Sequence, residues 1–330
     1  MSARRRRPPL REIVSAAGES EVDRFSPRAN LLEALGVYAG ILAALWGLPR
    51  APATAVLGAC GLYLVLLAPW LHGDSWESRG LPRPGALRAA LCGARPRERR
   101  QLLAALAALA IPLGLLLLRG WPNLLARLGL RRHARSVFEA LTGGAVAVAA
   151  PLAALAVLLP GVALLARFDN LAAAARGLAP AALALWGGVL ALALLAAGEA
   201  GDFTRLAPDA WLATHPDRTS GIFYLAWALV QQVVFLGYFN TRLRKGIGPG
   251  GRGPLSGRAL VALATGALFG AIHLPALHLV AATALVGALL GWCFQVDRQR
   301  HLLLAAAIHA VAGTLYSRLL PFSMDAGPWD

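Results

Sequence analysis

The sequence predicts an all-α, polytopic integral membrane protein, a helical bundle of about eight to nine transmembrane helices. Three observations carry this expectation. Hydrophobic residues make up 57% of the 330-residue chain, against about 45–50% in a soluble domain. The mean hydropathy is positive. Apolar runs of roughly 18 residues recur, each long enough to cross a bilayer. So much apolar surface would not fit inside one soluble core.

In chain order, residues 1–30 form a polar segment with seven arginines, four of them in RRRR at Arg4–Arg7. It reads as a basic cytoplasmic N-terminal segment lying on anionic lipid. The apolar run that follows is long and ends without a small-residue cleavage pattern, unlike a cleaved signal. Residues 31–200 hold the N-terminal transmembrane helices, with spans expected at about 32–48, 52–71, 101–118, 137–166 and 178–198. The fourth is overlong and contains Pro151 and Pro160, so a kink or break is expected there. Residues 201–320 form a transmembrane core with spans at about 221–240, 258–276, 277–296 and 302–320. Residues 321–330 are a tail.

Orientation follows from the arginines in the loops. The chain has 32 Lys+Arg against 17 Asp+Glu, a net charge of +15, and Lys245 is its only lysine. The basic loops 72–100 and 241–258 read as cytoplasmic, and the mixed loop 199–220 as external. This puts the N-terminus in the cytoplasm; the membrane expected is a bacterial inner membrane. Residues 119–136 break the pattern: they carry five arginines on the side counted as external. The stretch WPNLLARLGLRRHAR there reads alternatively as an interfacial amphipathic helix. No basic patch is interleaved with aromatics, so nucleic acid is not an expected partner. Cys60, Cys92 and Cys293 are isolated and suggest neither a zinc knot nor a disulfide framework. The chain shows no internal repeat of the kind common in transporters, which leaves transport as the weaker functional reading.

Polar residues at membrane depth cluster in the last third. Gln231 and Gln232 stand side by side in QQVVFLGYF, His273 closes FGAIH, and His309 opens HAVAG. Polar and ionisable groups inside a bilayer are costly, so they mark a function or a partner. Phe269 and His273 are four residues apart, so they share a helix face. Pro275 ends or bends that helix. His309 and the glutamines lie near the middle of their spans, so the depths agree with one shared site. The glutamines read alternatively as interhelical hydrogen-bond glue. His72, His133, His215 and His301 lie at span edges or in loops and read as solvated or interfacial. Gly237, Gly266, Gly270 and Gly287 read as points of close helix approach.

These motifs resemble the CPBP intramembrane protease family, which includes CAAX proteases and bacteriocin-processing enzymes. That family's pattern is E-E-x-x-x-R, then F-x-x-x-H, then H-x-x-x-N or D, on separate transmembrane helices. QQVVFLGYF lines up with the first motif through Phe235 and Gly237, with Leu243 downstream. FGAIHLPAL matches the second through Phe269 and His273. GWCFQVDRQRHLLLAAAIHAVAG resembles the third region, with His309 as the match. The resemblance covers about residues 220–316 and implies an intramembrane endopeptidase acting on prenylated C-termini or on leader or transmembrane peptides. The site residues it implies are His273, His309, Gln231 and Gln232.

The departures set the chemistry. Both motif glutamates are glutamines, the motif arginine is Leu236, and the final Asn or Asp is Gly313. Glutamine keeps the size of glutamate but takes no proton from water, and general-base help is worth about 10²–10⁴-fold. Arg242 follows Gln231 by eleven residues on nearly the same helical face, but about 16 Å further along the axis. It does not replace the motif arginine. Glu199, at the external end of its span, reads as an interfacial acid. A catalytic zinc keeps three protein ligands, and two histidines fall short. No cofactor or metal is therefore expected; His273 and His309 are the weak candidates for zinc, with His278 displaced beyond a proline. Two readings stay open. One is a homologue with reduced or lost proteolysis that binds a hydrophobic or lipidated peptide, or a partner membrane helix, within membrane lipid. The other is an active peptidase with a histidine-centred site.

Overall fold

The computed structural model describes residues 25–82, 167, 170–206, 221–247 and 254–320. Among these residues the regular structure is all helical. Five stretches are long and apolar enough to cross a membrane: Pro27–Gly47, Ala55–His72, Leu171–Ala200, Leu277–Phe294 and Leu302–Leu319. The chain is an integral membrane protein with the architecture of a polytopic helical bundle. The spans expected at 101–118 and 137–166, the tail at 321–330, and His133 and His215 lie outside the described residues.

Helix α1 (Pro27–Gly47) is started by Ser26, whose hydroxyl accepts the Ala29 amide at 3.2 Å. Pro27 occupies the first turn, where a missing N–H costs no helical bond. Helix α2 (Arg50–Leu62) continues through a π-helical segment (Tyr63–Leu67) into α3 (Ala68–His72). Gly73 ends it at φ +66°, a left-handed cap that glycine adopts without a Cβ clash. Helix α4 (Leu171–Ala200) begins seven residues before the expected span because LAAAAR is built from strong helix formers.

Helix α5 (Gly221–Gln232), a π-helical segment (Val233–Asn240) and α6 (Thr241–Ile247) form one continuous run. The π segment corrects one expectation. Its i→i+5 turns are wider than α turns, so each residue advances less around the axis. Face-sharing between Gln231 and Arg242, reckoned on α geometry, therefore does not hold through it.

Helices α7 (Pro254–Ala271) and α8 (Leu277–Phe294) make a tight antiparallel pair. A Cβ on Gly266 would run into the Ala284 carbonyl and Ala288, and one on Gly270 would meet the Val280 carbonyl at 2.7 Å. Gly287 lies against Gly266 and Phe269 from the other side. Gly237 is different: a Cβ there would find only ordinary contacts at 3.7 Å and beyond, so it is not a point of close approach. Gly266→Ala should force α7 and α8 apart and destabilise the bundle by about 1–3 kcal/mol. Gly237→Ala should be close to neutral. Thermal unfolding of the two variants in detergent checks this contrast.

Helix α9 (Leu302–Leu319) starts at His301, whose Nδ1 accepts the Leu304 amide. The core joins Phe235, Leu236, Phe239, Phe269, Leu290 and Leu302. Two long-range hydrogen bonds tie outer helices to it: Tyr38 donates to the Leu268 carbonyl at 2.6 Å, and the Trp186 indole to that of Ile308 at 3.1 Å.

Candidate functional site

The polar residues of the last third meet between α5, the end of α7, and α9. On α5, Tyr224, Ala228, Gln231 and Gln232 follow helical spacing, so they form one stripe. That stripe packs on α9, where Ala228 and Ala310 are small enough to let the two helices come close. His309 is eight residues into α9, roughly 10 Å from its start. It is 3% exposed, and Gln232 is 1% exposed.

The geometry around His309 is specific. Gln232 Nε2 lies 2.9 Å from Nδ1, and the Tyr224 hydroxyl lies 3.4 Å from Nε2. The Tyr224 ring stands edge-on to the imidazole, with centroids 5.8 Å apart. An amide NH₂ donates and does not accept, so with the Gln232 nitrogen assigned to this side, Nδ1 is the acceptor and the imidazole proton is assigned to Nε2. Gln231 is also buried, and its Oε1 finds no hydrogen-bond partner among the described residues. A buried acceptor left unpaired is costly.

His273 differs from expectation in its backbone. Helix α7 ends at Ala271, and His273 sits in the turn before α8, because Pro275 does not continue a helix. The side chain still returns to the core. Its Nδ1 lies 3.1 Å from the Phe269 carbonyl and 3.2 Å from the Thr283 hydroxyl. A carbonyl only accepts, so Nδ1 carries the proton and Nε2 presents a lone pair. The Phe269 ring serves both histidines, with its centroid 5.8 Å from that of His273 and 5.2 Å from that of His309. Phe235 stacks on the same ring at 4.5 Å.

Gln232 and His309 thus meet directly, His273 reaches the same Phe269 ring from the turn after α7, and Gln231 is buried next to Gln232 on α5; the remaining candidates lie elsewhere. His278 is exposed and stacks on Tyr316. Glu199 is exposed in the last turn of α4. No carboxylate is hydrogen-bonded to His273 or His309 among the described residues. Nor do three His, Cys, Asp or Glu side chains among those residues stand together as metal ligands.

A second polar cluster was not anticipated. Asp74 pairs with Arg242, and with Lys245 at 2.7 Å, while Arg242 also donates to Asn30 Oδ1 at 3.2 Å. Beside it, Glu33 Oε1 accepts hydrogen bonds from Tyr63 at 2.9 Å and Tyr238 at 2.7 Å, and Glu33 Oε2 meets His72 Nε2 at 2.5 Å. His72 and His301 are both buried, which corrects their reading as solvated edge residues. One is sequestered by its acid partner, the other by capping a helix. Nearby, Arg79 loses solvation in the loop after α3, which lowers its pKa from the usual arginine value, although Asp74 pulls the other way. The available sequence signal was Glu33, a lone acid inside an apolar run.

Residues 219–315 match the family described as type II CAAX prenyl endopeptidase Rce1-like. The match falls on the stretch where the three motifs were read and agrees with a CPBP-type intramembrane protease. No curated protein and no solved structure matches the chain.

Proposed function

We propose that this chain, which carries an Rce1-like intramembrane-protease segment at residues 219–315, binds a hydrophobic or lipidated peptide at His309, His273 and the glutamine pair, and cleaves it slowly or not at all. The observation that supports this is the Gln232 amide on His309 Nδ1. A glutamate there would accept the Nδ1 proton and free Nε2 as a base. The amide donates instead and holds the proton on Nε2, so neither partner takes a proton from water. The unpaired Gln231 acceptor supports binding. In this reading residues 201–320 form the working core, residues 31–200 frame it, and the N-terminus is cytoplasmic in a bacterial inner membrane.

One observation favours a second reading, an active peptidase. The lone pair on His273 Nε2, fixed by the Nδ1–H bond to Phe269, is a base that survives the loss of both glutamates. The two readings separate with the purified protein in lipid nanodiscs and a farnesylated peptide ending in a Cys-aliphatic-aliphatic-X sequence, read by mass spectrometry and by fluorescence binding. Peptide bound but uncut is the expected result. Cleavage that disappears in His273→Ala overturns it in favour of the peptidase. Neither binding nor cleavage overturns both.

A further inference from the structure

We propose that the Tyr224 hydroxyl is the donor that holds a backbone carbonyl of the bound peptide beside His309, and that glycine at position 313 is what admits it. This deepens the reading just given and rests on it.

Space is the first argument. A Cβ placed on Gly313 would collide with Oη, Cζ and Cε1 of Tyr224. The phenol therefore occupies the volume that any side chain at 313 would need. The family pattern has Asn or Asp there, a residue with a polar group one turn from the histidine. In this chain that volume holds a polar group again, supplied from α5 instead of α9.

The second argument is the direction of the protons. The Gln232 amide on Nδ1 leaves Nε2–H pointing at the phenol oxygen. Tyr224 thereby accepts from His309 and keeps its own O–H proton to donate elsewhere. At 3.4 Å the contact is longer than the usual range for a hydroxyl, so the hydroxyl is held loosely and can shorten its bond to an incoming oxygen. A phenol backed by an imidazole N–H is the kind of donor that stabilises a carbonyl, and more so one gaining negative charge.

Placement is the third. Tyr224 precedes Gln231 by seven residues, two turns of α5, and so shares its face. One supplies an O–H donor and the other an unpaired acceptor. A peptide backbone, which alternates C=O and N–H, is a ligand that uses both.

The experiment compares two farnesylated peptides of the same sequence, one with an ordinary amide and one with a trans-alkene replacing the amide at the scissile position. The second keeps the shape and lacks both the carbonyl and the N–H, so only a loss confined to the amide peptide reports on Tyr224. Tyr224→Phe, which retains the ring against His309, is expected to weaken the amide peptide by about fivefold, the scale of one neutral hydrogen bond, and to leave the alkene peptide unchanged. Gly313→Asn alone should also lose affinity, because it displaces the phenol. Tyr224→Ala with Gly313→Asn should recover it, since the amide then has both room and the donor role. Equal affinity of native protein and Tyr224→Phe for the amide peptide overturns the proposal while leaving the peptide site standing. Equal losses on both peptides also overturn it, by assigning Tyr224 a packing role. If the native protein binds neither peptide, the underlying reading of the site fails instead.

Discussion

Asp74→Asn will destabilise the protein by about 3–5 kcal/mol, the range for removing one partner of a buried ion pair. The side chains of Asp74 and Arg242 are each 1% exposed, so both charges have been taken out of water and depend on each other. Asp74 serves two cations, Arg242 and Lys245; neutralising it removes the carboxylate from both. Arg242→Gln should be milder, because Lys245 remains on the carboxylate. The order Asp74→Asn worse than Arg242→Gln worse than Lys245→Gln is the checkable content, measured by thermal unfolding in detergent or nanodiscs. Equal effects would mean that the three side chains act independently. The double variant Asp74→Leu with Arg242→Met should recover part of the loss, since replacing a buried pair by apolar groups is often neutral. The cluster joins the loop after α3 to α6 and, through Asn30, to α1. Its loss is therefore expected to loosen the N-terminal helices from the segment that carries the candidate site.

How much of this was legible in the sequence differs by residue. Five long apolar helices among the described residues were, because an apolar run long enough to cross a bilayer has few alternatives once the backbone must satisfy its own hydrogen bonds. Gln231, Gln232, His273 and His309 were, because a polar side chain inside such a run stands out against its neighbours. Tyr224 was not. An aromatic in a membrane helix looks like any other apolar residue, and what singles it out is the missing side chain at Gly313, eighty-nine residues away. The pairing of Asp74 with Arg242 had no local signal either, since each residue sits at a helix edge where charges are ordinary. Glu33 could have been found as a lone acid within an apolar run. The two π segments carry no sequence mark, and through the second of them (Val233–Asn240) the face-sharing of Arg242 with Gln231 is lost.

Restoring carboxylates at the glutamine pair tests the chemistry most directly. Gln231→Glu with Gln232→Glu is expected to raise cleavage of the farnesylated peptide by about 10²–10⁴-fold, the scale of general-base help. The structure gives the reason. A carboxylate at 232 accepts from His309 Nδ1, which moves the imidazole proton off Nε2 and leaves that nitrogen a base. A carboxylate at 231 can take a proton from water directly. Two further family positions respond differently to restoration. Leu236 is 1% exposed within the apolar core, so Leu236→Arg alone buries an unpaired cation and should unfold the segment. Together with the glutamates it gains a partner. Gly313→Asn collides with Tyr224 and should cancel the gain from the glutamates unless Tyr224 is shortened to alanine in the same variant. These backgrounds separate a site that has lost only its base from one that has been rebuilt around a phenol. Cleavage that rises with the two glutamates and falls again with Gly313→Asn fits the rebuilt site. A folded double-glutamate variant that binds the peptide and gains no cleavage would place the missing element beyond the glutamine pair, and would argue that this chain holds its peptide for some purpose other than cutting it.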